Sequence, residues 1–142
     1  MAFRRIQGKT KMMKLPVTAS TAITAGALVA FSSGYLIAAT ASSEPYAIAG
    51  VLKKTIASTD SDYATARSVE VEVPIEKAVV WEFDVTSGLV AADVGKHCDL
   101  TDSLVVNRGA SSLDIVQITK VLSTTKGQGI LNIGAGAIKG QA

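Results

Sequence analysis

Two stretches of this chain alternate strictly between apolar and polar residues, a period of two that fits an extended strand and no helix. In "SVEVEVPI", Val69, Val71 and Val73 alternate with Glu70 and Glu72, so one face is expected in a core and the other, acidic, in water. Pro74 ends this strand or places it at a sheet edge. "AVVWEFDVT" repeats the device, with Val79, Trp81, Phe83 and Val85 on one side and Glu82, Asp84 and Thr86 on the other. Trp81 and Phe83 are therefore the largest core candidates, and truncating a buried Trp costs about 3–5 kcal/mol. The C-terminal third continues with short β segments, "HCDLT", "SLVVN", "LDIVQITKVLS" and "GILNI", separated by "VGK", "NRGASS" and "TTKGQG". Such spacing, with at most a short helix around "SGLVAADVG" or "IAST", predicts an all-β domain: a small β-sandwich or partly closed β-barrel.

Residues 18–45, "TASTAITAGALVAFSSGYLIAATASSEP", follow a basic start, and three readings compete for them. A signal peptide would have this basic, apolar and small-residue order. A membrane helix needs roughly 20 continuous apolar residues, and "FSSGY" interrupts the run. A hairpin explains the interruption: Ile23, Ala25, Ala27, Val29 and Phe31 share a parity, "SSG" turns, and "YLIAA" returns. Leu28 and Leu36 break the alternation, as strands covered on both faces would. The hairpin is the preferred reading, followed by "YAIAGVLKKTI" as a strand ending at Lys53 and Lys54.

Charge is divided along the chain. Residues 1–43 hold Arg4, Arg5, Lys9, Lys11 and Lys14 and no acid, a charge of +5; residues 44–142 hold nine Lys or Arg against twelve Asp or Glu, a charge of −3. The expected layout is an extended basic N-terminal arm over residues 1–17 and one all-β domain over 18–142, with a Gly-rich C-terminal segment. Ordering such an arm costs roughly 1–2 kcal/mol per residue, while an exposed ion pair returns about 0–1. Its interleaved apolar residues must then bury surface on a partner or add a strand to another sheet. Phe3, Arg4, Arg5, Ile6, Lys9, Lys11, Met12, Met13 and Lys14 are accordingly the expected partner-binding residues. Because they precede the first expected strand, deleting residues 1–14 should leave a folded body.

Reactive chemistry has little support. Cys98 is the single cysteine, which excludes an intramolecular disulfide and reads as a small buried residue. His97, the single histidine, lies near Asp93, Cys98, Asp99 and Asp102, but no nucleophile elbow, Cys-x-x-Cys or His-Glu-x-x-His accompanies it. Gly134, Gly136 and Gly140 miss the dinucleotide spacing, and no room remains for the helix that motif opens. The chain is expected to be no enzyme, with no catalytic, cofactor-binding or metal residues and no small-molecule substrate.

The order "TAITAGALVAFSSGYLIAAT", then "YAIAGVLKKTI", then "DVGKHCDL", "SLDIVQITKV" and "GILNI" resembles the small all-β capsid decoration, or cement, proteins of tailed bacteriophages. This pattern of Gly, small and β-branched residues covers roughly residues 18–133. The resemblance implies a structural virion protein on the capsid exterior, made in the host cytoplasm. It implies binding where major capsid protein subunits meet, commonly as a homotrimer, and reinforcement of the icosahedral shell against internal DNA pressure. The basic arm matches no motif of that family; it is expected to anchor the body to the shell while the body self-associates. No direct nucleic-acid or membrane contact is expected. The alternative is a secreted or membrane-anchored β-domain with residues 1–41 as signal or anchor.

Overall fold

The computed structural model describes residues 3–76 and 78–131; the glycines at 134, 136 and 140 lie outside the described residues. Eleven strands run in order: β1 (Arg4–Gln7), β2 (Thr10–Pro16), β3 (Leu28–Ser32), β4 (Tyr35–Ala38), β5 (Ile48–Leu52), β6 (Ser68–Pro74), β7 (Val80–Val85), β8 (His97–Leu100), β9 (Val105–Asn107), β10 (Val116–Ser123) and β11 (Lys126–Leu131). The fold is all-β. Strands β7-β11-β10-β8-β9 close into a five-stranded barrel, the closure being a parallel pairing of Val85 with Val106. β1 is an additional strand on β7, taking Trp81 and Glu82 of the same edge that β9 takes at Asp84 and Val85. The second sheet runs β2-β6-β5-β3-β4, and a single parallel bridge, Val17 to Leu36, brings its two edges together.

Two apolar cores follow. Trp81, Phe83, Val85, Leu100, Val106 and Ile118 fill the barrel, and Leu28, Ala30, Ile48 and Val51 of the second sheet pack onto it. The opposite faces of β3 and β5, with Val29, Ala49 and Leu52, join Leu15, Leu36, Val71 and Val73 in the second core. All five residues of β5 are consequently buried. Leu28 breaks the alternation for this reason: β3 lies between two cores of its own chain, while Leu36 is on β4 and packs into the second core alone. β7 alternates as its sequence implies, with Trp81 and Phe83 both fully buried. The hairpin turns through Ser33 and Gly34, both at positive φ (52° and 87°), the geometry of a two-residue turn that matches strand twist. Its strand begins at Leu28, later than the shared parity from Ile23 suggests; Ile23 makes only an isolated bridge with Ile56.

The N-terminal segment is extended and basic, but it does not stand off the body. β1 pairs with the barrel and β2 with the second sheet along seven consecutive residues, Thr10↔Pro74 to Pro16↔Ser68. Between them Gly8 has φ +102°, and a Cβ there would lie 2.6 Å from the Val79 Cα. Gly8→Ala therefore meets a disfavoured backbone region, worth about 1–3 kcal/mol, and an overlap of about 1–3 kcal/mol. A loss of about 2–6 kcal/mol in urea denaturation is expected, and unchanged stability would show that the passage between sheets is not fixed there.

Candidate docking surface

The arm residues divide by their partners. Phe3, expected on a partner, is 1% exposed in the barrel core, its ring centroid 5.7 Å from that of Phe83 and its N–H donated to the Gly26 carbonyl at 3.0 Å. The reason is register: β1 lays the chain along β7, and the residue before it reaches the inner face. Arg4 pairs with Glu82 at 3.2 Å on the outer surface. The register slips between Arg5 and Gln7, an irregularity at which Ile6 is left exposed. Met13 is half-buried against the second core. Lys9, Lys11, Met12 and Lys14 are exposed along the strand, and the three lysines make no ion pair among the described residues.

Arg5 has a different task. Its Nε donates to Glu72 Oε2 at 2.6 Å, Thr10 Oγ1 donates to the same oxygen at 2.7 Å, and Lys53 Nζ donates to Oε1 at 3.1 Å. Glu72 is 2% exposed, which corrects the expectation that both glutamates of β6 face water; Glu70 does, Glu72 does not. The carboxylate joins β1, the start of β2, the end of β5 and β6. Burial alone would raise its pKa, but hydrogen bonds from Thr10, Arg5 and Lys53 outweigh it and hold the carboxyl below its ordinary range.

The His97 region forms no constellation. His97 is exposed and paired with Gln117 across β8 and β10, while Cys98 points into the barrel core, its thiol pushed up by burial. The neighbouring acids serve the loops. Asp99 accepts from the backbone N–H groups of Ser112, Leu113 and Asp114 and the Ser112 hydroxyl, at 2.7–3.0 Å. Asp93, fully buried, accepts from Arg108 Nε at 2.7 Å, the Val90 N–H at 2.9 Å and Lys96 Nζ at 3.0 Å. The surface also carries a shallow cleft of about 500 Å³ beside Lys96, His97 and Arg108 and a polar one of about 490 Å³ beside Lys54, Asp60 and Arg67. In the second, Arg67 is held by Asp60 at 2.8 Å and Asp62 at 2.9 Å. Among the described residues no group of three His, Cys, Asp or Glu is placed to hold a metal ion. No described helix is long and apolar enough to cross a membrane.

The sequence gives no sign that Glu72, Asp93 and Asp99 differ from surface acids, because their partners arrive from distant turns and strands. All three have lowered pKa values. Asp93 is lowered chiefly by Arg108, and Asp99 by backbone donors that outweigh its burial. A carboxyl whose folded pKa is depressed stabilises the protein above its unfolded value and loses that contribution as pH falls through the folded one. Thermal stability should thus be flat near neutrality and decline progressively below about pH 5. A midpoint unchanged down to about pH 2 would contradict these assignments.

No family model matches the chain, and a search of curated proteins finds no match. The functional reading accordingly rests on the surface of the fold.

Proposed function

We propose that this chain is a capsid decoration protein: it binds the outer surface of an icosahedral bacteriophage shell at junctions between major capsid protein subunits, as a homotrimer, and stabilises it. The observation that carries the reading is the N-terminal strand pair. Its inward residues seal both cores, while Ile6, Lys9, Lys11, Met12 and Lys14 stay exposed on one continuous segment at the edges of both sheets. Apolar side chains beside uncompensated cations suit a protein surface of opposite charge, with steering from the cations and attachment from apolar burial. The resemblance in small and β-branched residues supplies the class of partner.

The secreted or anchored alternative is poorly served by the fold. Cleavage near Ser42 would remove β1 to β4, taking Phe3 and Leu28 from one core and Leu15, Val29 and Leu36 from the other.

The test is occupancy on purified shells that lack the protein. Wild type should bind saturably. Lys9→Gln/Lys11→Gln/Lys14→Gln, folded to the same melting temperature, should bind about tenfold or more weakly at low salt, with the difference shrinking as salt screens the charges. No saturable binding of wild type, or equal occupancy for the two proteins, would overturn the reading.

A further inference from the structure

We propose that the outer edge of β2, from Thr10 to Lys14, is a slot for an extended acidic segment of a partner, which joins the sheet as an additional strand. The register assigns the two edges. Ile75 donates its N–H to the Lys9 carbonyl at 3.2 Å and Val17 donates to the Arg67 carbonyl at 2.9 Å, and the pairing between those points runs without a shift. Odd-numbered residues of β2 therefore bond to β6, and Thr10, Met12 and Lys14 turn their N–H and C=O groups outward. At its C-terminal end this outward edge is already used: Thr18 donates to the Leu36 carbonyl at 2.9 Å, beside the parallel bridge from Val17 to Leu36. β4 begins only at Tyr35 and runs parallel to β2 there, so it leaves the earlier residues uncovered. The main-chain groups of Thr10, Met12 and Lys14 have no backbone partner among the described residues.

The inner edge shows what chemistry this strand takes. β6, which alternates valine with glutamate, sets Glu72 opposite Met12 and Glu70 opposite Lys14. The free edge offers the same strand, with Lys11, Met12 and Lys14 exposed. A second copy of β2 laid there would bring lysine against lysine, the means by which exposed edges resist pairing with themselves. An acidic strand meets opposite charge instead. In strand addition the main-chain bonds supply attachment and alternate side chains supply selectivity. The slot depends on the capsid reading only for the identity of its partner.

The test uses the full-length, nitrogen-15-labelled protein and two synthetic peptides: Ser-Val-Glu-Val-Glu-Val, the sequence of residues 68–73, and the same peptide with lysine at both glutamates. The acidic peptide should shift the amide signals of Thr10, Met12 and Lys14 and slow their exchange with solvent, leaving Lys11, Met13 and Leu15 protected as before. The lysine peptide, and the acidic peptide on Lys11→Gln/Lys14→Gln, should bind about tenfold or more weakly. Four results would each overturn the slot: no shifts, shifts centred elsewhere, equal affinity for the two peptides, or lost protection at the odd positions, which would mean that the peptide displaces β6. Peptide binding without shell binding keeps the slot and sinks the capsid reading; shell binding without peptide binding does the reverse.

Discussion

A chain beginning at Leu15 will not fold into the native structure. It lacks Phe3, a fully buried aromatic whose truncation alone costs about 3–5 kcal/mol, set against a net stability of about 5–15 kcal/mol for a domain of ordinary size. It also lacks β1 and most of β2, leaving one edge of β7 half open, one edge of β6 largely unpaired and Phe83 without the Phe3 ring against it. The expected product is aggregated or loosely collapsed, with the single Trp no longer in a rigid apolar site. Phe3→Ala provides the graded version: a folded protein whose urea midpoint falls in proportion to about 3–5 kcal/mol. A truncated protein with wild-type melting behaviour would restore the picture of a dispensable arm.

Glu72→Ala is among the most damaging single substitutions expected outside the apolar cores. The carboxylate is buried, and its removal leaves the Arg5 guanidinium, the Thr10 hydroxyl and the Lys53 ammonium facing a site with no acceptor. Breaking a buried pair by deleting one member costs about 3–5 kcal/mol. Arg5 and Lys53 are each about two-fifths exposed at their side chains and recover some hydration, which places the expectation at about 3 kcal/mol, the lower end of that range. The double substitution Arg5→Ala/Glu72→Ala should cost clearly less than the two single losses added together, because each single variant already removes the shared contact. Strict additivity in a denaturant cycle would mean that the contact between β1 and β6 carries no energy of its own.

How much could be read in advance depended on whether a residue's surroundings lie near it in sequence. β7 was legible because one of its faces meets a core and the other meets water, so Trp81 and Phe83 follow from parity. The hairpin of β3 and β4 was legible from its Ser-Gly turn. The N-terminal strands were not, because an edge strand keeps much of its surface in solvent and shows no clean period: of residues 3–14 only Phe3 is buried. Their polarity looks like that of a detached arm. Glu72 was misassigned for a related reason. It repeats Glu70 in the local pattern, and only the arrival of Arg5, 67 residues away, distinguishes the two. The last turn was displaced because Gly127 and Gly129, which resemble loop residues, lie within β11, where the Leu89 side chain crowds the first and the Gln117 carbonyl approaches the second too closely for a side chain. The exposure of the β2 lysines fits a detached arm as well as an edge strand, and which edge they border follows only from the register.

Residue-resolved amide hydrogen exchange on the free, full-length protein tests most directly the claim that one N-terminal segment both closes the fold and offers an edge. Lys11, Met13 and Leu15 should exchange as slowly as the core strands β6 and β7, while Thr10, Met12 and Lys14 exchange much faster, an odd-even contrast set by the two sides of one strand. Uniformly fast exchange from residue 4 to residue 15 would show a loose arm and contradict both the closure of the fold by this segment and the slot.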